Sequence, residues 1–151
     1  MTNSISNEKI YQIALTLIPN VGGTLAKNLI AYCGSAEKVF STPKSKLEKI
    51  PLIGKERAAI ISSANVMKEA EHEIKFAEKH KINLLFFTDA AYPSRLKNCA
   101  DSPAMLYYKG NADLNAEKIL GVVGTRKCTD YGKEITRKLI ADLSCSDVMI
   151  V

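Results

Sequence analysis

The sequence predicts an α+β chain in two parts: a helical region over residues 1–81, followed by the opening of an α/β region over residues 82–151. Three observations carry this. Apolar residues recur at helical spacing through the first part, and a tight-turn sequence repeats there at an offset of 32 residues. Beyond Ile82 the period changes to short apolar runs separated by prolines and glycines.

In the first part, Ile10, Ile13, Ala14 and Leu17 fall at i, i+3, i+4 and i+7, giving one apolar stripe along a helix. A turn follows at Pro19-Asn20-Val21-Gly22-Gly23. Thr24 is placed to cap the next helix, with Leu25, Leu29 and Tyr32 on its buried side. Ser35 suits the cap of a short helix through Phe40, and Thr42-Pro43 offers a cap followed by proline at the first helical position. A second turn, Pro51-Leu52-Ile53-Gly54, leads into a helical region from about Lys55 to Lys81, with a break near Asn65. The two turns align as Ile18-Pro-Asn-Val-Gly-Gly-Thr-Leu-Ala and Ile50-Pro-Leu-Ile-Gly-Lys-Glu-Arg-Ala. This is the pattern of a helix-hairpin-helix, in which glycine takes the tight turn and apolar neighbours clamp two helices. Such hairpins either meet a nucleic-acid phosphate through backbone N–H groups or serve only as connectors in a packed bundle.

In the second part, Ile82-Asn-Leu-Leu-Phe-Phe87 reads as a buried strand. A proline-punctuated stretch leads to a second strand, Met105-Leu-Tyr-Tyr108, closed by Lys109-Gly110. Ile119-Leu-Gly-Val-Val123 is a continuous apolar run of the kind found in buried parallel strands. Ile135, Leu139 and Leu143 mark a helix, and Asp147-Val-Met-Ile-Val151 begins another strand. Strand, glycine-containing turn, helix, strand is the first βαβ unit of a doubly wound domain. The chain stops inside a strand, so the second domain is expected to be truncated.

Composition narrows the partner class only slightly. The chain carries 21 Lys/Arg against 16 Asp/Glu, a formal net charge of +5. The informative feature is local. Arg126, Lys127, Lys133, Arg137 and Lys138 crowd one short stretch, opposed there only by Asp130 and Glu134. Cys33, Cys99, Cys128 and Cys145 have no metal-binding spacing, and His72 and His80 lie in one charge-rich helical stretch that suits a solvated face. The opening residues lack a basic region followed by an apolar core, and no apolar run approaches the ~20 residues that span a bilayer. A cytoplasmic protein with reduced thiols is expected.

The turn Gly121-Val-Val-Gly124-Thr125-Arg126-Lys127-Cys128-Thr129-Asp130-Tyr131-Gly132 leaves the carboxyl end of a predicted strand, where open α/β sheets bind their ligands. Gly124 lets the backbone come close to an anion. Thr125 adds a hydroxyl and an N–H, and Arg126 a planar fork matched to phosphate oxygens. The following helix supplies further N–H donors and a partial positive charge, and Gly132 allows close packing against the sheet. Neither a dinucleotide fingerprint nor a Walker loop fits. Valine stands at 123 and arginine at 126 where glycines would be needed, and Gly54-Lys55 and Gly132-Lys133 are not followed by Ser or Thr. A plain strand-to-helix connector is the alternative.

These residues, together with those upstream, resemble a known family. Val123-Gly-Thr-Arg126 followed by Thr129-Asp-Tyr-Gly132 is similar to the start of the Rossmann-like domain of the DprA family, bacterial DNA-processing proteins also called Smf. Tyr92-Pro-Ser-Arg-Leu96, Asp101-Ser-Pro-Ala-Met-Leu-Tyr107 and Lys109-Gly110 resemble that family's lead-in, and the helical repeat resembles its sterile-alpha-motif-like N-terminal domain. The resemblance implies a binder of single-stranded DNA in natural transformation that shields incoming DNA and helps load the RecA recombinase. It implies a homodimer at full length, and no catalytic residue, metal or cofactor. Gly124, Thr125 and Arg126 inherit the family's phosphate-contacting role, and Lys127 joins them by position and charge. The family's next motif, a Ser-Gly-[Leu/Met]-Ala-x-Gly-Ile-Asp stretch, is absent from the sequence.

Two other classes compete. A phosphoribohydrolase-type enzyme on a related fold calls for a Pro-Gly-Gly-x-Gly-Thr loop and a carboxylate at the glycosidic bond, and neither is present. A helical protein-interaction module with little DNA contact is the other. Among the tyrosines, Tyr92, Tyr107 and Tyr108 suit packing better than base stacking, and Tyr131 beside the turn is the better stacking candidate.

Overall fold

The computed structural model describes residues 7–151. The chain is α+β and divides into two compact units, Met1–Gly110 and Asn111–Val151. The expected boundary after Lys81 falls inside the first unit, because the first two strands belong with the helices.

Six helices come first: α1 Asn7–Leu17, α2 Gly23–Cys33, α3 Ala36–Ser41, α4 Lys44–Leu47, α5 Gly54–Ser63 and α6 Met67–His80. The predicted break near Asn65 separates α5 from α6. The stripe expected on α1 is inside, yet Leu15 is buried as completely as Ile13 and Ala14. α1 is therefore covered over more of its circumference than one stripe, packing on both α3 and α6. Ser35 caps α3 as its sequence suggests, its Oγ accepting the Lys38 N–H at 3.2 Å. The Glu8 carboxylate adds a long-range cap by accepting the Ala36 N–H at 2.9 Å.

Three local expectations are corrected. Thr24 lies within α2, whose cap is Gly22, and its hydroxyl donates to the Ala100 carbonyl. Thr42 does not cap α4; its hydroxyl donates to Lys38 O at 2.6 Å and closes α3 instead. Tyr32 is 62% exposed, so Ala26 and Leu29 form the buried side of α2. For the two threonines a partner distant in sequence, or the preceding helix, claimed the group first.

The two repeated turns have one geometry. Val21 N–H donates to Ile18 O and Ile53 N–H to Ile50 O, each at 3.1 Å. Proline occupies the second position in both, and the third residue is left-handed: Asn20 at φ 63° and Leu52 at φ 68°. This is the type II arrangement, in which proline pre-sets one residue and the next takes positive φ. The glycines expected to make the turn behave differently from each other, since Gly22 is extended (φ −83°) whereas Gly54 is left-handed (φ 60°). Ile18, Val21, Ala26 and Leu29 in one repeat, and Ile50, Ile53, Ala58 and Ile61 in the other, all enter the same core.

β1 (Asn83–Phe86) and β2 (Met105–Tyr108) form an antiparallel ribbon on these helices, with Phe86 opposite Met105 and Asn83 opposite Tyr108. The single turn α7 (Ser94–Lys97) lies in the connection. β1 is only partly buried, with Phe86 inside and Leu84 and Leu85 half-buried. The connection itself is tied down. Tyr92 is fully buried and its hydroxyl donates to Pro103 O at 2.6 Å. Asp89 pairs with Lys9 at 2.8 Å and also accepts the Phe86 N–H. Gly23 abuts this segment so closely that a Cβ there would lie 2.3 Å from Ser102 O.

The second unit contains β3 (Ile119–Leu120), α8 (Asp130–Leu143) and β4 (Met149–Ile150), with β3 and β4 parallel. Backbone bonds from Val122 N–H to Val151 O and from Met149 N–H to Lys118 O lengthen the ladder at both ends. The strand expected over 119–123 forms only over Ile119–Leu120, parallel to β4 as expected and less buried. Leu120 is 38% exposed, because two strands and one helix leave the other sheet face uncovered, and Val123, 96% exposed, lies beyond the strand.

Two predictions follow from this packing. Gly23→Ala should destabilise the first unit by about 1–3 kcal/mol, since the Ser102 backbone cannot retreat as a side chain would; urea unfolding followed by circular dichroism measures it. The Tyr107 hydroxyl is pushed up to about 12 by burial, then by the Glu73 charge and its hydrogen bond. Its contribution to stability is thus complete below the ordinary tyrosine value of about 10 and fades as pH rises from there towards 12. Alkaline titration of tyrosinate absorbance should show a late component that Tyr107→Phe removes.

Candidate nucleic-acid interface

The segment between β3 and α8 holds all four residues singled out from the sequence. Gly124, Thr125, Arg126 and Lys127 are contiguous, non-helical and exposed. They follow the carboxyl end of β3, the end at which a parallel sheet presents its ligands. A cavity of about 300 Å³ lies at the opposite, amino ends of β3 and β4, where Asp113, Glu117 and Asp147 line it. Those carboxylates repel phosphate, so the basic turn and the acidic cavity are different surfaces.

Local hydrogen bonds hold the turn. The Thr125 hydroxyl donates to Lys127 O at 2.8 Å, which folds residues 125–127 into a hydroxyl-braced bend. The expected hydroxyl donor to an anion is therefore spent within the chain, leaving its oxygen as an acceptor and the backbone N–H groups as donors. Gly124 has an open flank, with nothing within 4 Å of an added Cβ, and it is not among the positive-φ glycines. Glycine there is required neither by the turn nor by its neighbours. It leaves the backbone bare on the outside.

α8 begins immediately afterwards. Thr129 caps it by accepting the Gly132 N–H at 3.1 Å, a role that the sequence reading did not assign. The signal was present, as a Thr one residue before an acidic helix start. Gly132 does not serve sheet packing as expected: the atom nearest an added Cβ is Thr129 Oγ1 at 3.4 Å. Asp130 in the first turn pairs with Lys133 at 2.9 Å, removing one lysine from the basic cluster. Among the described residues, neither Arg126 nor Lys127 has a carboxylate within ion-pair distance. Arg137 and Lys138 are exposed along α8, and Tyr131 is 74% exposed at its start. Two unneutralised cations beside exposed backbone donors suit an extended polyanion better than an enclosed small molecule.

The hairpin turns present less charge than their sequence suggests. Lys27 is tied to Ser102 Oγ and Cys99 O, and Arg57 donates to Leu52 O at 2.6 Å. A cavity of about 450 Å³ lies where Asn20 of the first turn approaches Ile53, Lys55, Arg57 and Ile60 of the second. Among the described residues no cluster of His, Cys, Asp and Glu could hold a metal ion, no cysteine is disulfide-bonded, and no helix is long and apolar enough to cross a membrane.

Comparison with known proteins places these features in context. The family model described as DNA recombination-mediator protein A matches residues 83–151. Its start at Asn83 agrees with the change of period in the sequence, although β1 and β2 pack with the helical unit. Protein Smf of Synechocystis sp. is 30% identical over 154 residues, covering 97% of this chain and 38% of the relative. The DNA processing protein DprA of Streptococcus pneumoniae is 32% identical over 101 residues, covering 67% of this chain and 32% of the relative. That of Bacillus subtilis is 35% identical over 71 residues, covering 46% and 24%. The chain thus spans less than two fifths of the length of these curated relatives. With the family model on its strand–turn–helix segment and a relative aligned along nearly its whole length, the chain belongs to the DprA/Smf family.

Proposed function

We propose that this chain binds single-stranded DNA through the turn Gly124–Lys127, as part of DNA processing in natural transformation. The observation that carries it is the exposed pair Arg126 and Lys127, free of carboxylates, on a braced turn after the carboxyl end of β3. Arg126 supplies two parallel donors to one phosphate, Lys127 a point charge to the same or the next, and the bare backbone at Gly124 allows the approach. Such contacts ignore base identity, which fits a protein that must accept any incoming strand.

In this reading the second unit is the opening of a Rossmann-like domain, and the first a sterile-alpha-motif-like domain with two helix-hairpin-helix turns. Help in loading RecA and a cytoplasmic setting belong to the same proposal and rest on family membership, as does a homodimer at full length. The protein acts by binding, without a catalytic group, metal or cofactor of its own. The names of the relatives, DNA processing protein and recombination-mediator protein, support this class over a phosphoribohydrolase. The acidic cavity lies at the amino ends of β3 and β4, away from where such an enzyme would place its substrate, and the Asp130 carboxylate at the start of α8 is paired with Lys133.

The test is anisotropy of labelled oligo-dT across a salt series. Arg126→Ala should weaken binding about tenfold and flatten the log–log salt slope by roughly 0.7, the value for one phosphate contact on a single strand. An unchanged slope in Arg126→Ala, with wild-type binding intact, reduces the turn to a connector.

A further inference from the structure

A second basic surface lies on α6 in the first unit, apart from the two hairpin turns and from the Gly124–Lys127 turn. At 100° per residue, Lys68, His72, Lys75, Phe76 and Lys79 fall within one stripe, with His80 at its edge. No acidic residue falls on the arc from Lys75 to Phe76; Glu69 lies at the angle between Phe76 and His80, about two turns N-terminal to Phe76. Glu71 and Glu78 flank the stripe on one side and Glu73 on the other, Glu73 being engaged by the Tyr107 hydroxyl. The buried side of the helix is Ala70, Ile74 and Ala77, so the stripe faces away from the core.

Two features separate it from an ordinary solvated face. Phe76 presents a large aromatic ring, 53% exposed, among the lysines. Its ring also meets that of His80, with centroids 4.3 Å apart and planes inclined at 42°. The two aromatic groups thus form one pre-arranged platform at the end of a row of lysines. Among the described residues none of Lys68, Lys75 and Lys79 is in an ion pair. From Lys68 to His80 the stripe runs about 18 Å along the helix, room for a few nucleotides of extended single strand.

We infer that the Lys68–His80 stripe of α6 is a second binding surface for single-stranded nucleic acid, with a base stacked on the Phe76–His80 platform and lysines on the flanking phosphates. Cations interleaved with exposed aromatic rings are what sequence-tolerant single-strand binding requires, because every base offers a π face and every linkage a charge. An acidic protein segment would be served by the lysines but gains little from the stacked pair, so the aromatic platform favours nucleic acid. The surface extends the proposed DNA-binding role and stands on different residues from the turn.

The full chain, with Phe76→Ala, Phe76→Tyr, Lys75→Gln/Lys79→Gln and Arg126→Ala variants, is titrated against labelled oligo-dT over a salt series, with circular dichroism checking each fold. Phe76→Ala should weaken binding about tenfold while Phe76→Tyr retains it. The double lysine variant should flatten the salt slope by roughly 1.4, two contacts at 0.7 each. Ultraviolet cross-linking to bromodeoxyuridine oligonucleotide should label the tryptic peptide that begins at Phe76. If Arg126→Ala loses affinity and Phe76→Ala does not, the stripe is overturned and the turn stands. If Phe76→Ala loses affinity and Arg126→Ala does not, the stripe stands and the turn falls. If neither changes binding, or the wild type does not bind, the stripe is overturned; polyglutamate binding that the lysine variant abolishes then assigns it to an acidic protein partner.

Discussion

The first unit depends on a turn used twice. At Ile18–Val21 and again at Ile50–Ile53, proline fixes one residue and the next goes left-handed. The apolar residues on either side of that bend are thereby driven into one core. Left-handed backbone costs a leucine roughly 1–2 kcal/mol, and Leu52 is also left exposed. The burial of Ile50 and Ile53 on either side offsets that cost, and the Arg57 guanidinium holds the Leu52 carbonyl. Without these bends the helices they join cannot present Leu29 and Ile61 to the common core.

Around that core the polar ties run from the helices to the segment that follows them. Lys9 reaches Asp89 and Leu84 O, Lys27 reaches Ser102 and Cys99 O, and Gly23 lies against the Ser102 carbonyl. This is why β1 and β2 fold with the helices rather than with the later strands. It also explains why the hairpins carry less available charge than their lysines and arginines suggest: part of that charge is structural. Among the described residues, cations outside any ion pair remain at Lys55 beside the second turn, at Arg126 and Lys127, and along the outer stripe of α6.

The element order was legible in the sequence because each element satisfies its own local rule. The period of 3.6 marked α1, the Asn65 break separated α5 from α6, and apolar runs marked β1, β2 and β3. The candidate turn was legible as well, since a basic cluster after an apolar strand is a local pattern. Caps were less legible. Thr24 and Thr42 carry the right side chain for an N-cap but donate to Ala100 O and Lys38 O, contacts that depend on neighbouring or distant backbone. Thr129, which does cap, stands inside the basic cluster, and its role depends on the local bend that brings its Oγ1 to the Gly132 N–H. The Thr125 brace is a backbone contact two residues away, a geometry that composition does not specify.

The sequence by itself determined the type and order of the elements, the doubled turn and the site of the basic cluster, because these follow from periodicity, proline and glycine placement, and charge spacing along the chain. Tertiary structure alone decided which groups remained available. It consumed Lys27 and Arg57 in internal bonds, put Leu52 as well as Gly54 in the left-handed region, drew β1 and β2 into the helical unit, and left Phe76 on the outside of α6. The physical reason is that a hydrogen bond or a buried contact is made with whatever packing brings near, and sequence distance does not encode that proximity.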